Sequence, residues 1–149
     1  MQPLAFSSAH STGSAHGTRG ATGMYTDVSV QGAAASDNAS HALIGMLFDA
    51  ALGALAHARG AMREGDVPGK ARAIRKALGI VGEGLRASLN VAEGGELARN
   101  LDDLYGYIEL RLIHANLRND DAALEECAGL LRPVYEAWQQ ISSQVLEAR

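Results

Sequence analysis

The sequence has little of what several protein classes require. Its 149 residues include a single cysteine, Cys127, which excludes an intrachain disulfide and a cysteine-rich zinc site. Only 5% of the residues are aromatic, which disfavours a β-sandwich. Thirteen basic residues stand against 17 acidic ones, a net charge of −4. A nucleic-acid binder or a protein held on an anionic membrane needs the opposite sign, so we expect neither.

Signals for a membrane and for secretion are also missing. The sequence contains no run of about 18 apolar residues, so we expect no segment to span a membrane. The N-terminus lacks the basic and then apolar layout of a signal peptide. One cysteine also fits a reducing compartment. We therefore expect a cytosolic protein without membrane insertion.

Enzyme and cofactor motifs are absent from the sequence. It has no glycine-rich phosphate loop and no nucleophile elbow. A di-metal bundle needs Glu-x-x-His pairs, and no histidine here follows a glutamate by three positions. Met46 and Cys127 could face inward as haem ligands, but such side chains are far more often packing residues. We predict no enzymatic activity, no cofactor and no metal.

Three segments differ in composition. Residues 1–23 are mostly Ser, Thr, Gly, Ala and His, too polar to offset their ordering entropy, and predict a disordered leader. Residues 24–39 predict an arm and a linker, in which Tyr25, Val28 and Val30 alternate weakly and dock onto another surface. Residues 40–147 predict the folded domain.

The folded domain is predicted to be all-α, an antiparallel up-down four-helix bundle. Helices are expected at about 41–63, 68–90, 96–118 and 120–145, because glycine, proline and aspartate interrupt the pattern between them. Asp66 and Asp120 are the expected N-caps of the second and fourth helices. Short connections make consecutive helices antiparallel neighbours. Pro133 is predicted to kink the last helix.

Apolar residues at steps of three and four predict the face that each helix turns to the core. The expected core positions, helix by helix, are Leu43, Met46, Leu47, Ala50, Ala54 and Ala58; Ile74, Leu78, Val81, Leu85 and Leu89; Leu97, Leu101, Leu104, Ile108, Leu112 and Ala115; and Leu124, Cys127, Leu131, Val134, Trp138, Ile141 and Val145.

Helices two and three carry further apolar residues outside these faces. Ala73 and Ala77 on the second helix are predicted to point outward. These residues have two interpretations. They are ordinary exposed aliphatics, which are common on protein surfaces, or they form a groove for an amphipathic partner helix. Periodicity alone favours neither. If the groove reading holds, the partner-binding residues are Ile80, Gly84, Ala87, Val91, Tyr107, Leu110, Ile113 and Leu117.

From Tyr25 onward the chain resembles the flagellar export chaperone family called FliS. The resemblance is an ordered series of short segments and not one decisive motif. The segments are Tyr25-Thr-Asp-Val-Ser-Val30, Leu43-Ile-Gly-Met-Leu-Phe-Asp49, Gly94-Gly-Glu-Leu-Ala-Arg-Asn-Leu101, Leu104-Tyr105, Ala115-Asn-Leu-Arg-Asn-Asp120 and Ala137-Trp-Gln-Gln-Ile141. The leader before Tyr25 and Pro133 depart from the family pattern.

The resemblance implies a cytoplasmic four-helix bundle that binds the C-terminal segment of flagellin. That segment is expected to be disordered when free and to fold around the chaperone, which prevents premature polymerisation and aids type III export. Tyr25, Val28 and Val30 would cover part of the binding surface in the free state. Other flagellar export or regulatory proteins are further expected partners. The alternative is a self-associating bundle without a flagellin client, such as a homodimer with exchanged arms.

Overall fold

The computed structural model describes residues 38–147, with side chains described as far as residue 141. The predicted leader and the arm residues Tyr25, Val28 and Val30 lie outside the described residues, as does the side chain of Val145. The helices are α1 (Asn38–Glu64), α2 (Val67–Gly79), α3 (Val91–Arg118) and α4 (Asp121–Glu147). A π-helical segment, Ile80–Arg86, continues α2. No strand occurs in residues 38–147, and the prediction of an all-α helical bundle is confirmed.

The connection between α1 and α2 is fixed by local chemistry. Gly65 has a φ of 73°, which suits glycine at the end of a helix. Its amide donates to the carbonyl of Met62 at 3.3 Å, and the Asp66 amide donates to the carbonyl of Ala61 at 2.9 Å. The Asp66 carboxylate then accepts from the amide of Gly69 at 3.0 Å. The predicted N-cap at Asp66 is confirmed.

The connection between α3 and α4 uses the same devices. Asn119 adopts the left-handed conformation, with φ 51° and ψ 45°. The carboxylate of Asp120 accepts from the amide of Ala123 at 3.3 Å, as the sequence predicts. α4 continues through Pro133, which therefore does not end the helix.

Contacts between α1 and α4 show that these helices are antiparallel. Arg59, late in α1, pairs with Asp121, the first residue of α4, at 2.8 Å. At the other end, the indole of Trp138 donates to the carbonyl of His41 at 3.0 Å.

The second helical stretch and α3 are antiparallel as well. Lys70, near the start of α2, donates to the carbonyl of Asn116, near the end of α3, at 2.9 Å. Arg86, which ends the π segment, pairs with Asp102 in the first half of α3 at 2.7 Å. α3 packs against α4 across the short Asn119-Asp120 connection. The up-down order of the helices follows from these contacts.

The core confirms much of the predicted pattern and corrects part of it. The predicted positions that are buried are Ala54, Ala58, Ile74, Val81, Leu85, Ile108, Leu112, Ala115, Leu124, Cys127 and Leu131. Leu43, Met46 and Leu97 are instead 55%, 65% and 69% exposed. Phe48 and Tyr105, absent from the predicted pattern, are buried in their place. Ile141, also predicted in the core, is 48% exposed. The predicted face was therefore wrong in the N-terminal parts of α1 and α3 and at this position of α4.

The second helix requires two further corrections. Ala73 and Ala77, expected to point outward, are buried at 7% and 0% exposure. Small side chains let the neighbouring helices approach closely on that side, and the periodicity of larger residues alone did not reveal it. Burial also raises the pKa of the Cys127 thiol to about 11, which keeps this core cysteine protonated and unreactive.

The π segment interrupts the helix that the sequence predicts to be continuous over 68–90. The amide of Ala87 donates to the carbonyl of Gly82, five residues earlier, at 3.2 Å. Each such turn holds an extra residue, so the positions after Ile80 are rotated from where an α-helix would place them. α3 then begins at Val91, where Asn90 accepts from the amide of Glu93 at 3.2 Å.

α1 is long and apolar enough to cross a membrane, judged by length and composition alone. Within the bundle, however, its Phe48, Ala51, Leu55 and Ala58 are buried in the core. Its apolar character is thus accounted for in part by packing against the other helices.

Lys70 is the buried charged residue among the described positions, at 4% exposure. Its ammonium donates to the carbonyl of Asn116 and to the side-chain oxygen of Asn119. These acceptors lie at the C-terminal end of α3, where carbonyls lack helical partners and a positive charge is favourable. Lys70 therefore ties the start of α2 to the end of α3.

Replacing Lys70 with methionine is expected to lower the free energy of unfolding by about 1–3 kcal/mol, because it removes both charge-assisted hydrogen bonds of a buried side chain. Urea unfolding measures the change. Lys76→Met, at an exposed position of the same helix, is the control and should change little. Equal stability of the two variants would show that the Lys70 contacts contribute nothing.

Stability is also expected to fall in acid. The hydrogen bond from Arg59 holds the pKa of Asp121 below its usual value. The folded-state pKa is thus below the unfolded one, so this contribution is present above about pH 4 and is lost as the pH falls through the folded-state pKa. Urea midpoints from about pH 6 to about pH 2 should fall less steeply for Asp121→Asn than for the parent chain. The exposed Asp103→Asn is the control, and identical curves for all three proteins would contradict the expectation.

Candidate partner-binding surfaces

The C-terminal half of α3 carries an exposed apolar stripe, which we call the α3 stripe: Leu110, Ile113 and Leu117. Their side chains are 67%, 47% and 75% exposed. Spacings of three and four residues place them on one side of the helix. Large aliphatic side chains in a row on a polar helix face are typical of a surface that receives a partner helix.

Polar residues beside the α3 stripe are already paired with α4. The Tyr107 hydroxyl donates to one carboxylate oxygen of Glu126 at 2.7 Å, and Arg111 donates to the other, also at 2.7 Å. Both hydrogen bonds lower the pKa of Glu126, and the bond from Tyr107 has the larger effect. The ring of His114 lies 3.2 Å from the carboxylate of Asp120. The stripe therefore has a border of mutually satisfied polar groups, as protein interfaces have a polar rim.

A second apolar surface, which we call the apolar groove, has a volume of about 410 Å³. It lies where the first turns of α1, the region from Leu85 to Tyr105 and the second half of α4 meet. Its apolar lining comprises Ile44, Phe48, Leu85, Leu89, Leu97, Ala98, Leu101, Tyr105, Val134 and Trp138. Leu97, the most exposed of the larger ones, is 69% exposed.

One wall of the apolar groove depends on the glycine pair that the sequence predicts as a break. Gly95 has φ 58° and ψ −135°, a conformation that is essentially restricted to glycine. A Cβ on Gly94 would lie 2.6 Å from that of Ala98. The short helical turn from Val91 to Gly94 can therefore fold over Ala98 only with glycine at these positions.

The structure divides the predicted partner-binding residues. Leu110, Ile113, Leu117 and Tyr107 are exposed on α3, and Ala87 and Val91 are exposed near its start. Ile80 is half-buried and packs on the core. A Cβ on Gly84 would lie 3.2 Å from a methyl carbon of Leu47, so Gly84 faces α1.

The sequence does not predict the apolar groove. Its residues follow core spacing, and the sequence therefore assigned Leu89, Leu97, Leu101 and Trp138 to the interior. The available signal was the Gly94-Gly95 break, which leaves the adjoining helix faces without cover. Within the described part of the chain, no group of three or more His, Cys, Asp or Glu side chains is arranged to hold a metal ion.

Comparison with known proteins identifies the family. The family model described as "Flagellar protein FliS" matches residues 23–145. This chain belongs to the FliS family. The resemblance inferred from the ordered segments is therefore confirmed.

Similar FliS proteins come from several bacteria. The "Flagellar secretion chaperone FliS" of Salmonella typhimurium is 50% identical over 118 residues, which cover 79% of this chain and 87% of the relative. The "Flagellar secretion chaperone FliSB" of Pseudomonas aeruginosa is 47% identical, with 79% and 92% covered. The FliS of Bacillus subtilis is 32% identical over 95 residues, with 64% and 69% covered.

Proposed function

We propose that this FliS-family protein is a cytosolic export chaperone for flagellin. It binds the C-terminal segment of flagellin, prevents premature polymerisation and aids type III export. The printed names of the relatives, flagellar secretion chaperones, support the export role. The proposed activity is binding without catalysis or a cofactor.

The observation that carries the proposal is the exposed α3 stripe. Leu110, Ile113 and Leu117 give a partner helix three apolar anchors at helical spacing. The apolar groove supplies a second contact at the other end of α3. Thirteen residues separate Leu97 from Leu110, which is about 20 Å along a helix axis. A client that uses both surfaces is therefore a segment of several turns and not a short peptide.

A client that folds on binding suits transient protection. Coupled folding buries a large apolar area, but ordering the client costs about 2–5 kcal/mol of the binding free energy. The resulting affinity is moderate, and the client can be surrendered to the export apparatus. Covering the α3 stripe and the apolar groove also removes exposed apolar surface from water.

The N-terminal arm is proposed to compete with the client. Tyr25, Val28 and Val30 provide one aromatic and two aliphatic side chains, which match the apolar groove in character. A covering arm lowers the apparent affinity for the client by the fraction of time that it occupies the site.

The experiment combines titration calorimetry with hydrogen exchange, using the full chain and a C-terminal fragment of flagellin. We expect binding, together with slower exchange in two regions, 85–105 and 107–117. Exchange near the α1–α2 connection should stay unchanged and serves as the internal control. A chain without residues 1–30 should bind the fragment more tightly.

Other outcomes would contradict parts of the proposal. Absence of binding would exclude flagellin as the client. Binding with protection elsewhere would move the site away from α3. Light scattering distinguishes the proposed chaperone from the alternative, a self-associating bundle. A dimer of the free protein that buries the α3 stripe, and that the fragment does not dissociate, would favour a second copy as the occupant.

A further inference from the structure

A cleft between α1 and α2 has a character different from the two apolar surfaces. Its volume is about 330 Å³. α1 contributes Ala50, Gly53, Ala54 and His57, and α2 contributes Gly69, Arg72, Ala73 and Lys76. Both sets follow the same spacing of three, four and seven residues, so each helix presents one face to the cleft. We call it the basic cleft.

The floor of the basic cleft is open to the backbone of a partner. No atom lies within 4 Å of the position that a Cβ on Gly53 would occupy. Ala54 and Ala73 beside it project one carbon each. Small side chains on two adjacent helices allow close approach of another main chain. The floor therefore offers little steric obstruction to a docked helix.

The basic cleft carries two positively charged side chains that form no ion pair within the described residues. Arg72 and Lys76 are one helical turn apart, exposed, and engaged in no ion pair among the described residues. Arg59, Arg86 and Arg111, by contrast, each hold a carboxylate within 2.8 Å. The residues that line the cleft include no Asp or Glu, and the nearby Asp66 carboxylate, beside Gly69 at one end, already caps α2. In a chain of net charge −4, this is a local reversal of sign.

The chain's own terminal segments do not match the cleft in charge. Residues 1–37 contain two acidic side chains, Asp27 and Asp37, ten positions apart. Residues 142–149 contain one glutamate and one arginine. Neither segment offers carboxylates at helical spacing to meet Arg72 and Lys76 together.

We propose that the basic cleft docks an acidic amphipathic helix of another protein. Carboxylates three or four residues apart on that helix meet Arg72 and Lys76, and its small side chains lie on the glycine and alanine floor. None of the residues lining the cleft belongs to the α3 stripe or the apolar groove. A helix in the basic cleft therefore leaves both surfaces available, and the chaperone can hold a second polypeptide beside its client.

The test uses a labelled model peptide of about 18 residues, long enough to be helical. Glutamates occupy one face at spacings of three and four, and alanines fill the remaining positions. A second peptide carries glutamine in place of each glutamate. Fluorescence anisotropy follows binding to the full chain, to the double variant Arg72→Glu and Lys76→Glu, and to the control double variant Arg118→Glu and Arg132→Glu. The control removes equal charge from exposed positions of α3 and α4.

We expect the glutamate peptide to bind, with affinity that weakens in salt and falls by about tenfold or more in the cleft variant. The control variant should bind as the parent does, and both variants should retain the flagellin fragment. Equal losses in the two variants would reveal diffuse attraction and overturn the proposal, as would equal binding of the glutamine peptide or no binding. If charge reversal in the cleft dissociates a dimer of the free protein, the occupant is a second copy and the proposal is wrong.

Discussion

A protein that carries both Leu110→Asp and Leu117→Asp is expected to lose about a hundredfold or more in affinity for the flagellin fragment. Both side chains are more than 65% exposed in the free protein, at 67% and 75%. In the proposed complex they become buried anchors, and a carboxylate in their place would have to be desolvated without a partner. Because the side chains make little contact in the free bundle, its folding should be unaffected. Titration calorimetry measures the loss.

The matched control for this variant is Val67→Asp. Val67 is 60% exposed but lies at the start of α2, outside the α3 stripe and the apolar groove. An aspartate there adds a charge that the first turn of a helix tolerates. Circular dichroism verifies the fold of each variant. Undiminished binding by the α3 variant would remove the stripe from the client site.

The structure also decides which substitutions make a sound test of the client surface. Ile80 and Ile113 both belong to the partner-binding set that the sequence predicts. Ile80, however, packs on the core, so a charge at this position would destabilise the bundle as well as any interface. Leu110 and Leu117 avoid that ambiguity because they stand clear of the core.

The second large effect is expected in stability. Phe48→Ala should lower the free energy of unfolding by about 3–5 kcal/mol. Phe48 is 1% exposed and stacks on Tyr135 with ring centroids 5.4 Å apart. Removing the ring leaves a cavity between α1 and α4 and loses the aromatic contact. Urea unfolding measures the change, and a loss of folding altogether would fall in the same direction.

Met46→Ala is the matched control on the same helix. Met46 belongs to the core face that periodicity predicts, but it is 65% exposed. We expect its replacement to change stability by about 0.5 kcal/mol or less. Similar losses for the two variants, or a larger loss for Met46→Ala, would show that α1 turns a different face to the core.

Local chemistry explains why the ends of the helices were predictable. An aspartate side chain caps a helix through its own nearby amides, and glycine tolerates positive φ wherever it occurs. Asp66, Asp120 and Gly65 therefore act as their sequence neighbours indicate. The Gly94-Gly95 break follows for the same reason, although α3 starts one turn earlier, at Val91.

The core register was harder to predict, because it depends on partners that are distant in sequence. α1 is rich in alanine, leucine and glycine, so several of its faces are equally apolar. Phe48 is buried because Tyr135 of α4 lies opposite it. The π segment adds a rotation to the second helix that a constant 100° per residue does not contain, and Gly84 consequently faces Leu47.

The candidate surfaces also differ in whether the sequence could predict them. The α3 stripe was predicted because a straight α-helix preserves the phase between Ile108 inside and Leu110 outside. The apolar groove was not, because its residues have core spacing and become a surface only where the break at Gly95 leaves them uncovered. The basic cleft lies between α1 and α2, which the short connection predicts to be neighbours, but tertiary packing decides which faces of the two helices line it.

The amino-acid sequence alone determined the helical class, the number of helices, the turns between them and the family, since each follows from short-range chemistry or from an ordered series of segments. Tertiary packing decided which apolar residues are enclosed and which are left at the surface. The π segment over Ile80–Arg86 and the kink at Gly95 set the helix faces, and the contacts that these faces make join residues far apart in the sequence.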